Sequence, residues 1–238
     1  MRLDHCTWPE VEARLRRHTG ILLPVGSTEQ HGPTGLLGTD SLTASAVAER
    51  VAARLDTLVA PVLPFGVAEH HMAFPGTLAL TPETFVAAMS DTLRSLARHG
   101  FRHVLVVNGH GGNSGALKTA FVVLESALPD LRCQALNWWM GPRAKALRGA
   151  LYGKREGFHA TPSEIAVTLA LVPGSAHRAD LGEPGRAQSY SDAADYRAKF
   201  PDGRMASDPS LATAEDGEEL LAAAVEDVAE AYRNFVAV

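Results

Sequence analysis

Ile21-Leu22-Leu23-Pro24-Val25 is a short apolar run, and Gly26-Ser27-Thr28-Glu29-Gln30-His31-Gly32-Pro33 follows it with titratable and turn-forming residues. An apolar run of that length bounded by glycine suits a strand buried on both faces. Downstream, Leu42–Leu55 has helical spacing, with Val47, Val51 and Leu55 on one side. Leu58–Val62 reads as a second strand. Thr81 caps a helix that has Pro82 at its first position and Gly100 at its close. His103–Val107, ending in Asn108, is a third strand, Ser114–Leu128 a helix, and Arg132–Trp138 a fourth strand. Pro9–His18 precedes the series as a helix; Glu164–Leu171 and Glu215–Phe235 follow it as late helices. Strands alternating with helices predict an α/β fold, a mostly parallel sheet with helices on both faces. Pro173 to Thr213 is rich in Gly, Pro, Ser and Asp and reads as a long irregular excursion within one domain spanning 1–238. Loops of this length often serve as lids or contact surfaces.

Composition excludes several classes. The 238 residues are long enough to bury a substantial core. Two cysteines, Cys6 and Cys133, are too few for a disulfide scaffold. An apolar content of 46% argues against wholesale disorder. A net charge of −5 disfavours a basic nucleic-acid-binding surface. The apolar runs fall far short of the ~20 residues of a membrane span, and Met1–Glu10 lacks the pattern of a secretory signal. A cytoplasmic location with no membrane partner is the expectation. Ten histidines remain to be explained.

In open parallel sheets, ligands bind beyond the carboxyl ends of the strands. The segments expected there carry Glu29, His31 and Asp40 after the first strand, and Phe65–His71 with Phe74-Pro75-Gly76-Thr77 after the second. Asn108-Gly109-His110-Gly111-Gly112-Asn113 follows the third. Glu29, His31, Asp40 and His110 form a mixed oxygen and nitrogen set of the kind that holds Zn²⁺, Mn²⁺ or Fe²⁺, with Asp40 able to bridge two cations. Taken singly, each has an ordinary role: Asp40 as a helix N-cap, His110 as a structural histidine. Thr161-Pro162-Ser163-Glu164 reads as a capping box, which would commit Glu164 to backbone, while His159 before it is freer for function. The glycine-rich loop at Gly109–Gly112 is also open to a phosphate-cradle reading, although it matches no nucleotide-binding fingerprint. His70 and His71 stand near the same sheet edge, and of Trp138 and Trp139 one is expected in the core and the other on a pocket wall.

Pro24–Pro33 followed by Gly38-Thr39-Asp40 resembles the signature of the creatininase (creatinine amidohydrolase) family. Phe74–Thr77, Asn108–Asn113 and Ser207–Thr213 resemble further family motifs in the same order. The resemblance implies a dinuclear metal-dependent amidohydrolase on a three-layer α/β/α sandwich, usually a homo-oligomer and often a hexamer. Carried over by position, Glu29, Asp40 and His110 would hold one divalent ion, and His31 and Asp40 a second. Creatinine-hydrolysing members complete the second site with a glutamate where this chain has Gly112. Members with glycine there take the carboxylate from a later histidine-and-glutamate pair, matched here by His159 and Glu164. Thr34, Thr161-Pro162-Ser163 and Ile165-Ala166 depart from the family pattern where substrate would be contacted.

The expected activity is hydrolysis of a non-ordinary C–N amide bond, a cyclic amide or formamide of a small molecule, by a metal-bridging hydroxide. His159 is the expected proton donor to the leaving nitrogen. The alternatives are a peptidase of cofactor maturation, a metal-stabilised binding protein without catalysis, and a phosphate- or nucleotide-binding module.

Overall fold

The computed structural model describes residues 1–175, 177 and 179–237. Among these residues the elements run α1 (Trp8–Leu15), β1 (Gly20–Val25), α2 (Thr39–Leu55), β2 (Leu58–Val59), α3 (Pro82–Arg98) and β3 (His103–Asn108). They continue with α4 (Asn113–Glu125), β4 (Arg132–Asn137), α5 (Pro142–Tyr152), α6 (Pro162–Leu171), α7 (Ala193–Lys199) and α8 (Ala214–Val236). The four strands are parallel in the order β2-β1-β3-β4.

Residues alternate sides along a strand, and here both sides are buried. Leu22, Leu105 and Val107 face Val47, Val51, Ala166, Leu220 and Val228 of α2, α6 and α8. Ile21, Leu23, Val104 and Val106 face Phe85, Met89, Leu93, Leu117 and Leu124 of α3 and α4. Two apolar cores on opposite faces of one sheet make the layered α/β arrangement that the alternating pattern implies.

Three expectations change. The second strand stops at Val59 instead of Val62, because past Ala60 the donors to β1 slip by one residue around Pro61. Backbone pairing resumes past it, with Leu63 donating to the Pro24 carbonyl at 3.1 Å. The segment from 173 to 213 is not irregular throughout. It holds α7, whose Tyr196 is buried against Phe74 together with Phe200 just past the helix end. Pro142–Tyr152 forms a helix that the sequence reading passed over; its Ala144 and Tyr152 join the core beside α8.

Candidate metal centre

All the carboxylates and imidazoles singled out in the sequence converge beyond the C-terminal ends of the strands. Glu29 and His31 lie on the loop leaving β1, Asp40 in the first turn of α2, and His110 just past β3. His159 lies between α5 and α6, and Glu164 in the first turn of α6. Asn113, fully buried at the start of α4, ties three loops together. Its Nδ2 donates to the Gly26 carbonyl at 3.0 Å, and its Oδ1 accepts from Val67 N at 2.9 Å. Nδ2 also lies 3.2 Å from Asn108 Oδ1.

The N-cap reading of Asp40 does not hold. Gly38 is the capping residue, and Asp40 turns its side chain inward. Its Oδ1 lies 3.1 Å from His31 Nε2 and its Oδ2 3.3 Å from His110 Nδ1. Glu29 Oε2 lies 3.2 Å from the same His110 nitrogen. Glu164 closes the capping box and still reaches the site, two placements that the sequence set against each other. Its Oε1 accepts from Thr161 N, closing the capping box, while its Oε2 stands 4.0 Å from His31 Nε2.

Three histidines share one mode of support. His31 Nδ1 is 3.1 Å from the Glu29 carbonyl, His110 Nε2 3.0 Å from the Val67 carbonyl, and His159 Nε2 2.7 Å from the Gln30 carbonyl. A carbonyl only accepts, so each ring spends an N–H on backbone and turns its other nitrogen to the carboxylates. His71, left undecided by sequence, is arranged differently. Gln30 Nε2 donates to its Nδ1 at 3.0 Å and to the Gly203 carbonyl, while Gln30 Oε1 accepts from Gly32 N. The His71 proton therefore sits on Nε2, 3.4 Å from Glu29 Oε1.

Electrostatics follow from burial working against charge. Burial presses His31 down, but Asp40 and Glu164 overcome it and raise its pKa to about 10. His110 is likewise raised, with Glu29 and Asp40 outweighing burial. Burial, reinforced by His31, holds His159 down at about 4 despite the nearby carboxylates. Burial raises Glu164 to about 7, opposed by His31.

The donor set fits divalent cations. Glu29, Asp40 and His110 each offer an atom within 4.8 Å of the others, and so do His31, Asp40 and Glu164. Glu29, His31 and His159 form a third such group. Glu29 Oε1 and Oε2 and Asp40 Oδ2 are buried with no hydrogen-bond partner, although His110 stands within ion-pair distance. Buried carboxylate oxygens in that condition are costly unless a cation or donor meets them.

Gly112 leaves Glu164 as the carboxylate that stands with His31 and Asp40 in the second group. A Cβ there would lie 2.4 Å from His110 Nε2 and 2.5 Å from the Val67 carbonyl, so a glutamate has no room.

These side chains line a cavity of about 370 Å³ whose walls include Trp138, Trp139, Phe158, Tyr190 and Tyr196. Trp138 is buried and Trp139 partly exposed, and both reach the cavity. His70 stacks on Tyr190 at 5.4 Å, and Tyr196 meets His71 edge-on at 4.7 Å. Sequence reasoning missed the two tyrosines. The spacing of Tyr196 and Phe200, four apart like residues on one helix face, was the available signal.

Comparisons with known proteins agree with this geometry. The family model described as creatinine amidohydrolase matches residues 4–232. The creatinine amidohydrolase of Pseudomonas putida is 32% identical over 96% of this chain and 94% of its own length. The mycofactocin precursor peptide peptidase of Mycobacterium tuberculosis (strain ATCC 25618 / H37Rv) is 32% identical over 87% of this chain and 82% of its own. A crystal structure of creatinine amidohydrolase superposes with a TM-score of 0.88 at 30% identity, over 98% of this chain and 97% of that one. A Mn creatininase superposes at 0.86 and 31% identity, over 99% and 98% of the two chains, and a Zn–Zn type creatininase does the same. The motifs, the parallel sheet and the whole-length matches agree: the chain belongs to the creatininase family of amidohydrolases.

Proposed function

We propose that this chain holds two divalent cations, Zn²⁺, Mn²⁺ or Fe²⁺, and hydrolyses a C–N amide bond of a small molecule, a cyclic amide or a formamide. The observation that carries the reading is the sharing of Asp40 by two three-residue donor sets on the wall of one cavity. Glu29, Asp40 and His110 would hold one ion, and His31, Asp40 and Glu164 the other. Bound cations supply positive charge that polarises an amide carbonyl and acidifies a water.

The chain's own residues do the rest. His159 is neutral near pH 7, since its pKa is held at about 4. It therefore starts as an acceptor: Nδ1 takes the proton from the attacking water and then returns it to the leaving nitrogen. This refines the expectation of a plain proton donor, because an imidazole with so low a pKa is not charged beforehand. The Gln30 carbonyl fixes the ring by holding its other nitrogen. His71 donates toward Glu29 and so orients that carboxylate. Family resemblance further supports a homo-oligomer.

Metal analysis of the purified protein, together with a hydrolysis screen over creatinine, formamides, cyclic amides and short peptides, tests the proposal. About two equivalents of transition metal are expected, falling toward none in Asp40→Ala. His159→Ala should keep its metal and lose turnover by about 10²–10⁴-fold. Equal loss of metal in that variant makes His159 a ligand, as its place in the third donor group allows. The likeness to the mycofactocin peptidase favours a second reading, cleavage of a short peptide, which the peptide arm of the screen decides. Two bound metals with no turnover on any substrate point to a binding protein.

A further inference from the structure

The sheet has two edges, and the chain closes only one of them. Beside β2, Val59 donates its N–H to the Met1 carbonyl at 3.0 Å, so the N-terminal residues cover that side. Beside β4, no strand among the described residues pairs with the outer side. Arg132 N donates inward, to the Arg102 carbonyl at 2.8 Å. Successive residues of a strand turn their N–H and C=O to opposite sides, so those of Cys133 and Ala135 point outward. No proline interrupts Arg132–Asn137, and an open edge of that kind is a template for another strand.

The flank of α4 beside this edge has a symmetric pattern. Phe121 and Val122 line the grooves next to β4, and Val122 is 62% exposed. Lys118 and Glu125 line the same grooves, two helical turns apart and equally far on either side of that apolar pair. Both are exposed, and among the described residues neither forms an ion pair. Opposite charges set evenly about an apolar centre make a helix complementary to a reversed copy of itself.

We propose that β4 docks edge to edge with β4 of a second copy of this chain, antiparallel about a two-fold axis that passes by Phe121 and Val122. The two four-stranded sheets then become one, and each Lys118 faces the partner subunit's Glu125. One two-fold axis reverses strand and helix together, which is what a self-complementary patch requires. The spacing fits as well. α4 straddles β3 and β4, sharing a core with Val106 and Ala135. Neighbouring strands lie about 4.8 Å apart, so the two copies of α4 would come to lie two spacings, about 9.6 Å, apart across the seam. Packed helices lie about 8–10 Å apart. The mirrored charges single out a second copy, since an unrelated partner has no reason to match them. The assignment is independent of the hydrolytic reading.

Sedimentation velocity on the full chain over a range of concentrations, with charge reversals on α4, tests it. Wild type is expected to associate, and Lys118→Glu and Glu125→Lys should each raise the dissociation constant at least about 10-fold, because like charges then face each other twice. An equimolar mixture of the two variants should recover association, since every facing pair is again opposite in sign, and so should the double variant. Recovery in the mixture also shows that both variants fold. Hydrogen exchange reads the strand seam without any substitution: the Cys133 and Ala135 amides should be protected in the associated protein and lose that protection on dilution. A monomeric wild type, single reversals that leave association unchanged, or a mixture that stays apart overturns the interface. Fast exchange at Cys133 and Ala135 in the associated protein overturns it too.

Discussion

Glu164 divides its two oxygens between backbone and site, and that division makes its contributions separable. Thr161→Ala removes the capping hydroxyl and is expected to cost about 0.5–2 kcal/mol of stability with metal content unchanged. Glu164→Gln keeps an oxygen for the Thr161 amide and removes the charge, so it should lose about one of two metal equivalents with a smaller drop in melting temperature. Loss of metal in both variants would show that the cap and the site act as one unit. The histidines set the pH dependence. His31, raised to about 10, carries a proton at pH 7 in the metal-free protein, and a ligand nitrogen must be free of it. Cation uptake is therefore expected to release protons and to tighten as pH rises from about 6 toward 10, as calorimetry in buffers of different ionisation enthalpy will read. Uptake that is independent of pH over that range removes His31 from the ligand set. At this scale the convergence of the candidate donors was legible where they follow a strand end within a few residues, as Glu29, His31 and His110 do. The sequence left His71 undecided, because its partner Gln30 is 41 residues away and is identified only once the two loops have folded together.

Strands and long helices are the legible elements, because apolar periodicity and end signals coincide in them: Thr81 and Pro82 open α3, and an unbroken apolar run marks β3. The helix α5 escaped because it buries little beyond Ala144 and Tyr152, so its sequence lacks a clear apolar stripe. The helix α7 escaped because seven residues are too few to show a period, although Asp192 caps it through the Asp195 amide. The tightest helix contact is also invisible to propensity. Gly217 lies inside α8, where Ala would ordinarily gain up to about 1 kcal/mol. Here a Cβ would sit 2.0 Å from the Ala166 carbonyl oxygen of α6. Gly217→Ala is accordingly expected to destabilise by about 1–3 kcal/mol, since overpacking forces the two helices apart. A melting temperature equal to or above wild type would show that α8 can shift freely against α6.

Across the whole molecule, β4 is an edge strand, and apolar surface lies exposed beside it. A groove of about 720 Å³ lined by Phe121, Leu136 and Met140 runs there, and Val122 and Val123 on α4 are exposed. If the proposed homo-oligomer uses this face, light scattering behind size exclusion should give a mass that is a multiple of 25.3 kDa, and Val122→Asp should reduce it. A monomeric wild type ends that proposal. No helix among the described residues is long and apolar enough to cross a membrane. The layered α/β plan was legible from the order of elements, whereas the course of the 173–213 segment was not, because its buried aromatics are few and widely spaced. One consequence of the Asn113 clamp reaches beyond this chain. The β1 and β3 loops that carry Glu29, His31 and His110 are secured by buried amide side chains within the first 113 residues, while Trp138, Trp139, Phe158, Tyr190 and Tyr196 arrive from later segments. Exchange of the wall aromatics therefore need not disturb the Asn113 clamp, so one scaffold can present the same β1 and β3 loops to amides of unlike shape.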